Sequence, residues 1–250
     1  WDRKKTSIFD YHSMEEYVQN LNPDIVYHLA VASTLNKIEN ETWKANYEWP
    51  SELAWICRIN QIKFVFASSF EVFSDYNTGP FDITSKPDAF EGFGFEKRMA
   101  EERVLYQNPQ AIIIRLPLQI SRDPKDKGLL FELQNELIEK GELIASVNYF
   151  PALAFIEDTI EEIYRISTNY DKGLFMIDSN DGLSYYDILT SLNNIYQKNW
   201  IISKSADFNY NQRMLDDKSQ IPKLSEKLKE KENELIRKSE KKIAIVGNKD

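Results

Sequence analysis

Three short, mainly apolar runs constrain the fold of this chain more than any other feature of its sequence. They cover residues 25–29, 62–67 and 111–116. Parallel strands are covered by helices on both faces, so they read as continuous rather than alternating apolar runs. Helical patterns fill the intervals at 43–60 and 93–106. This alternation predicts an α/β fold with a doubly wound parallel sheet and right-handed crossovers.

Charge and apolar content narrow the class of protein. Forty acidic against 31 basic residues give a formal net charge of -9, which repels phosphate backbones and argues against general nucleic-acid binding. No apolar run approaches the roughly 18 residues of a membrane-spanning helix, so we expect no membrane association. The single cysteine, Cys57, lies in an apolar segment and is interpreted as a buried small hydrophobe. A reducing, cytoplasmic location fits that interpretation. Ligand spacings typical of a metal site are not found.

A second pattern links the end of the middle apolar run to the start of the following helix. Ser69 follows the run, and Phe93 and Lys97 stand four residues apart in the helix. Hydride transfer to or from a carbonyl carbon requires a proton donor near the oxygen. A lysine at i+4 from a tyrosine shares its helix face and lowers the pKa of the phenol. Phe93 offers a ring without the hydroxyl. Taken alone, these residues also fit an ordinary strand end and a solvated lysine.

The order of several segments carries more information than either pattern. The segments are 22–30, 44–46, 66–73, 93–101, 114–117, 155–158, 173–177 and 184–188. In this order they resemble the dTDP-4-dehydrorhamnose reductase branch of the extended short-chain dehydrogenases/reductases, within the NAD-dependent epimerase/dehydratase superfamily. The resemblance covers roughly residues 7 to 218. It implies a Rossmann-like sheet, possibly permuted or N-terminally truncated, with a small C-terminal substrate lobe.

The resemblance also implies a set of site residues. Ser69 would hold the substrate oxygen, Lys97 would hold the nicotinamide ribose, and Phe93 would take the position of the family's catalytic tyrosine. The cofactor-binding residues implied are His28, Leu29, Ala30, Ala32, Lys97 and Pro117. The implied cofactor is NAD or NADP and the implied ligand is a nucleotide sugar, in a homodimer or with a partner domain. For His28 a packed, hydrogen-bonded side chain is the alternative.

One part of the family pattern is not found in the sequence. Family members begin with a strand and a glycine-rich turn, whose backbone amides bind the dinucleotide pyrophosphate. The chain has eight glycines but no G-x-G-x-x-G, and residues 7–10 already resemble the family's third strand. We therefore expect the first strand, its helix and the second strand to be absent from these residues. This makes cofactor binding doubtful.

The C-terminal residues suggest a domain division. Residues 1–222 are predicted to form the reductase-like domain, with the lobe mainly from 120–160 and 178–222. A charged helical linker is expected at 223–242, followed by a strand at 243–250 with the sequence Ile-Ala-Ile-Val-Gly-Asn-Lys-Asp. That strand could begin a further domain, could be a permuted first strand beside residues 25–29, or could be an unrelated apolar tail.

Two classes of function fit these observations. One is an NAD(P)-dependent reductase or epimerase of nucleotide sugars, with impaired or altered catalysis. The other is a non-catalytic sugar-nucleotide-binding or regulatory scaffold, or one domain of a larger enzyme. The missing hydroxyl at Phe93 and the missing glycine turn affect separate requirements, proton transfer and phosphate binding, and together they favour impaired catalysis. Fold alone does not choose between the classes.

Overall fold

Helices and strands alternate along the chain in the computed structural model, which describes residues 1–32, 40–121 and 128–246. The helices are α1 (Tyr11–Leu21), α2 (Glu41–Trp43), α3 (Trp49–Ile59), α4 (Gly92–Gln107), α5 (Leu129–Lys140), α6 (Ile156–Asn169), α7 (Tyr185–Ile195) and α8 (Leu224–Val246). A π-helical segment, Lys44–Glu48, joins α2 to α3, and a 3-10 turn covers Phe70–Val72. The strands are β1 (Ile25–His28), β2 (Lys63–Ser69), β3 (Phe81–Asp82), β4 (Ile112–Leu116), β5 (Leu118–Ile120), β6 (Leu143–Ser146), β7 (Tyr149–Phe150), β8 (Leu153–Phe155), β9 (Gly173–Met176), β10 (Ile202–Ser205), β11 (Tyr210–Asn211) and β12 (Met214–Leu215).

The main sheet has four parallel strands in the order β1-β2-β4-β9. Val26 pairs with Phe64, and Phe66 pairs with Ile113 on the other side of β2. The three apolar runs of the sequence thus lie side by side. Helices follow the strands in sequence, as crossover connections between parallel strands require. The predicted doubly wound α/β fold is confirmed.

Apolar side chains cover both faces of this sheet. On one face, Phe64, Phe66 and Ile113 belong to a core cluster that includes side chains of α1, α3 and α4. On the other face, Val65 and Ile114 belong to a cluster that includes side chains of α6. Burial on both faces explains why these strands lack the alternating pattern of a half-exposed sheet. Cys57 is fully buried in the first cluster, as predicted.

A separate apolar cluster forms beyond the carboxyl ends of the main strands. It combines side chains of α5, α7 and α8 with residues of β6 and β8. Short parallel pairs accompany it, β5 with β8 and β6 with β10. Residues 122–127, which belong to the predicted lobe segment 120–160, lie outside the described residues.

Two strands expected from the sequence are not found. Residues 7–10 form a turn, and the Asp10 carboxylate caps α1 by accepting from the backbone N–H groups of His12 and Ser13. Residues 243–246, expected to form a strand beside β1, are the end of α8. The Lys- and Glu-rich sequence before them has a strong helix propensity, and no glycine or proline interrupts it before Gly247. The rest of that predicted strand, 247–250, lies outside the described residues, and β1 is an edge strand of the described sheet.

Candidate functional site

A cleft of about 640 Å³ opens at the carboxyl ends of β1, β2 and β4. This is the edge at which open parallel sheets bind their ligands. Six of the predicted site residues line it together: Leu29, Ala32, Ser69, Phe93, Lys97 and Pro117. The structure thus brings side chains from four separate segments of the sequence to one surface.

Lys97 lies at the bottom of the cleft and is only 1% exposed. Its Nζ donates to the carbonyl oxygen of Ala67 at 2.8 Å and lies 4.7 Å from the centre of the Phe66 ring. Burial lowers the pKa of Lys97 to about 8, although the carboxylates of Glu101 and Glu96 act in the opposite direction. The ammonium therefore titrates closer to neutral pH than an exposed lysine does.

Phe93 is the second residue of α4 and faces the same part of the cleft. The centre of its ring lies 5.6 Å from the Nζ of Lys97. Phe93 also lines a neighbouring cavity of about 490 Å³, together with Tyr76 and Phe90. The phenylalanine ring therefore lies at the boundary between two cavities, beside an ammonium group, where a tyrosine would carry a proton.

Ser69 lies opposite α4, where β2 ends. Its Oγ accepts from the backbone N–H of Glu71 at 3.1 Å, which starts the 3-10 turn. α4 approaches this turn so closely that a Cβ at Gly94 would overlap the carbonyl oxygen of Glu71. A glycine between Phe93 and Phe95 is therefore part of the geometry that brings Phe93 to Ser69.

His28 and Ala30 do not line the cleft, contrary to the prediction. The imidazole of His28 is 3% exposed and packs edge-on against Trp49, with ring centres 4.7 Å apart. Burial lowers the pKa of His28 to about 3, so the ring is neutral. Successive side chains of a strand point to opposite faces, and His28 points into the core beneath α3. Ala30 packs against the same core.

Sequence reasoning missed the role of Asn46, although the segment 44–46 was part of the resemblance. Asn46 lies in the π-helical segment and is fully buried. Its Oδ1 accepts from the backbone N–H of Ala32 at 2.9 Å, and its Nδ2 donates to the carbonyl oxygen of Ala32 at 2.8 Å. The same Nδ2 donates to Glu96 at 2.7 Å. Asn46 thus ties the loop after β1 to α4. Polar and apolar residues alternate irregularly around Asn46, so the local sequence gave no signal of this role.

A buried ion pair supports the cleft from behind. Arg115 on β4 donates from Nε and Nη2 to the two carboxylate oxygens of Glu101, at 2.9 and 2.7 Å. Ser68, which lines the cleft, donates to the same carboxylate at 2.6 Å. A two-point contact between guanidinium and carboxylate fixes orientation as well as distance. It fixes α4 relative to β2 and β4.

The charges around the cleft bear on which part of a dinucleotide it could hold. Its apolar lining and the hydroxyl of Ser69 suit a nicotinamide and its ribose. Lys97 is the only cation among the described lining residues, which also include the carboxylates of Glu71, Glu96 and Glu132. The pKa of Glu71 is raised by burial and by the charge of Glu132. The lining thus fits the nicotinamide end of a dinucleotide, but it provides little positive charge to balance the negative charge of a pyrophosphate.

Two further classes of site were sought in the described part of the chain. No cluster of His, Cys, Asp or Glu side chains there could hold a metal ion. None of the described helices has the length and apolar content needed to cross a membrane.

Comparison with known proteins agrees with this architecture. A dTDP-4-dehydrorhamnose reductase from Bacillus anthracis, solved in complex with NADP, superposes with a TM-score of 0.75 at 15% identity, covering 92% of this chain and 87% of that one. The corresponding protein from Clostridium acetobutylicum gives a TM-score of 0.77 at 15% identity, with 95% and 89% covered. An ADP-L-glycero-D-manno-heptose-6-epimerase from Helicobacter pylori gives a TM-score of 0.68 at 18% identity, with 85% and 70% covered.

At these identities the superpositions establish the fold. Comparison with curated protein sequences gave no match. The family model described as the RmlD substrate binding domain matches residues 1–145, which is more than half of the chain. With its cleft at the carboxyl ends of parallel strands, the chain therefore belongs to the RmlD substrate binding domain family and has the fold of the dTDP-4-dehydrorhamnose reductases.

Proposed function

We propose that this protein binds a nucleotide sugar in the cleft, next to the nicotinamide end of NAD or NADP, and is impaired in carbonyl reduction at the proton-transfer step. One observation carries the proposal: the side chain beside the Lys97 ammonium, at 5.6 Å, is the phenylalanine ring of Phe93. A phenyl ring can shape the cleft and contact a sugar. It has no proton to give.

Each lining residue has a role in this proposal. When bound, the nicotinamide supplies the hydride or accepts it. Leu29 and Pro117 would hold its ring through apolar contacts, and Lys97, which donates to the carbonyl of Ala67, would hold the ribose. Ser69 donates from Oγ to the substrate oxygen and polarises it. Without a general acid, the rate is expected to be lower by about 10²–10⁴-fold.

The wider setting is part of the same proposal. The dinucleotide is inferred from relatives such as the Bacillus anthracis reductase, solved with NADP. A homodimer or a partner domain is supported by partly exposed apolar side chains on α3 and α4, namely Trp55, Ile59 and Leu105. A cytoplasmic location is supported by the free, buried Cys57, whose pKa burial raises to about 12.

A non-catalytic scaffold is the second candidate. The three carboxylates of the lining favour it, because they disfavour the phosphates of a dinucleotide. In that case the cleft would bind a sugar nucleotide through its sugar, or would serve only as part of the scaffold. The cleft would have one of these two roles also if the chain is one domain of a larger enzyme.

Calorimetric titration with NADH and NADPH, with dTDP- and UDP-sugars as competitors, separates these candidates. Binding of both a dinucleotide and a sugar nucleotide supports the proposal. Binding of the sugar nucleotide alone supports a sugar-nucleotide-binding scaffold. Binding of neither contradicts the proposal and supports a cleft that serves only as part of the scaffold.

Substitution of Phe93 tests the catalytic defect. We expect the unmodified protein to show negligible carbonyl reduction and Phe93→Tyr to raise the rate by about 10²–10⁴-fold, because it restores a general acid next to Lys97. The matched control is Phe95→Tyr, which adds a hydroxyl on the same helix at a ring that packs with Trp43. Steady-state assays by dinucleotide absorbance measure both variants. Robust turnover by the unmodified protein would contradict the proposal and indicate another donor, such as Tyr76 or a water molecule.

A further inference from the structure

A second cavity of about 590 Å³ lies behind α4 and shares no lining residue with the cleft. Its walls come from α4, β4, β9 and the loop at 86–88. Three cations line it, Lys86, Arg98 and Arg115, along with three acids, Asp88, Glu101 and Glu102. Its volume is in the range of small-molecule sites.

Two of the three carboxylates of this cavity, those of Asp88 and Glu101, already accept several hydrogen bonds. The Asp88 carboxylate accepts from the backbone N–H and Oγ of Ser74 and from Asn77, at 2.6 to 2.9 Å. Glu101 accepts from Ser68 and twice from Arg115. These carboxylates therefore have little capacity left to attract a cationic ligand.

The donors are not all occupied. Arg98 donates from Nη1 to the carbonyl oxygen of Ala89, but its buried Nε has no hydrogen-bond partner among the described residues. Arg115 is 3% exposed, and its Nη1 likewise lacks a partner there. Buried N–H groups without acceptors cost free energy, particularly on a charged group. Each of the two guanidinium groups on the wall of this cavity thus has one buried nitrogen without an acceptor among the described residues.

We propose that this cavity is a binding site for a small oxyanion, a carboxylate or a phosphate, whose oxygens accept from Arg98 and Arg115. Guanidinium groups match the geometry of both anions. The three positive and three negative charges of the lining cancel. The unpaired N–H donors, rather than a net charge, therefore select the ligand. Lys86, exposed at the rim, adds a point charge on the entry side.

Such a ligand would act next to the cleft without entering it. Arg115 and Ser68 share the carboxylate of Glu101, and Ser68 lines the cleft. An anion that binds Arg115 would weaken the ion pair between Arg115 and Glu101. The site is independent of the function proposed above, since the two cavities have no lining residue in common.

Isothermal titration of the full chain with inorganic phosphate and with malonate, at ionic strength held constant with sodium chloride, tests this inference. We expect saturable binding of at least one probe at one site per chain. Arg98→Ala should weaken that binding by about 10- to 100-fold, the equivalent of one hydrogen bond to a charged group. Binding of malonate alone identifies a carboxylate site, and binding of phosphate alone identifies a phosphate site.

The matched control is Arg103→Ala on the same helix. Arg103 lies over the ring of Tyr106, much as Arg98 lies over Phe95, but it does not line the cavity. The affinity of the Arg103→Ala variant for the bound probe should remain within about twofold of that of the unmodified protein. Arg98→Lys, which keeps the charge and removes the guanidinium, is the second variant if Arg98→Ala unfolds, as judged by circular dichroism. The absence of saturable binding, or equal losses in the Arg98 and Arg103 variants, would overturn the proposal.

Discussion

At the scale of single residues, Lys97 combines a charge with nearly complete burial. One carbonyl oxygen and the faces of two aromatic rings surround its ammonium group. Desolvation disfavours the charged form, and this effect outweighs the nearby carboxylates. Folding therefore favours the neutral amine, and the lysine contributes to stability in a way that depends on pH.

The sign of that dependence can be tested. The folded pKa of Lys97, about 8, lies below its ordinary value of 10.5, so the unfolded chain binds more protons between these pH values. The free energy of unfolding should then rise with pH across this window, by at most ~3 kcal/mol. Urea unfolding at pH 7.5 and pH 10 should show this gain relative to Lys97→Met, which has no titrating group. Equal pH slopes in both proteins would mean that the pKa of Lys97 is not lowered.

At the scale of elements, α4 is positioned by contacts at its first turn and in its middle. Its first turn lies against the 3-10 turn after β2, at Gly94 and Glu71. Further along, Glu101 joins it to Arg115 on β4. The orientation of the α4 face that carries Lys97 is thus set by a backbone contact at the first turn and by an ion pair in the middle of the helix.

Substitution of Gly94 tests the first of these contacts. Gly94→Ala places a methyl group against the Glu71 carbonyl, so we expect a loss of at least ~2 kcal/mol in unfolding free energy and weaker binding in the cleft. Gly92→Ala is the control, because its Cβ would meet open space and only its φ of +63° opposes the change, at a cost of about 1 kcal/mol. Chemical denaturation measures both. A control as destabilised as Gly94→Ala would rule out steric overlap as the cause.

The sequence was a good guide where structure depends on local pattern. Buried strands are recognisable because both of their faces are apolar. The family resemblance predicted Ser69, Phe93 and Lys97 as site residues, and all three line the cleft. Long-range contacts were not accessible in this way. The direction of the His28 side chain depends on its packing against Trp49, and the role of Asn46 depends on Ala32 and Glu96. Residues 243–246 were misjudged because their apolar pattern was read without the helix that precedes them.

At the scale of the whole molecule, one carboxylate connects the main sheet to the segments packed beyond it. Asp178 follows β9, and its oxygens accept from the backbone N–H groups of Leu153, Asn180 and Met214 at 3.0, 2.9 and 2.8 Å. These donors belong to β8, to the loop after β9 and to β12. A single side chain thus satisfies three backbone donors at the junction.

Removal of this side chain should destabilise the protein as a whole. Asp178→Ala leaves three backbone N–H groups without their acceptor, and we expect a loss of about 3 kcal/mol or more. Asp171→Ala is the control, since that side chain is 97% exposed and its ion pair with Lys63 spans 3.4 Å. It should cost less than about 0.5 kcal/mol. The midpoints of thermal unfolding of the Asp178→Ala and Asp171→Ala variants measure this difference. A midpoint for Asp178→Ala like that of the control would show that water replaces the lost acceptor.

The π-helical segment at Lys44–Glu48 has a consequence for how this chain tolerates changes in length. A π-turn contains one residue more than an α-turn, so it amounts to a single-residue insertion within a helix. Deleting one residue there would regularise the helix but rotate the residues on either side by about 100° relative to each other. Asn46 would then no longer reach both Ala32 and Glu96, which it now joins. In this segment the number of residues matters as much as their identity. A regular α-helix would have better hydrogen bonding, but it would break the link that Asn46 makes between the loop after β1 and α4.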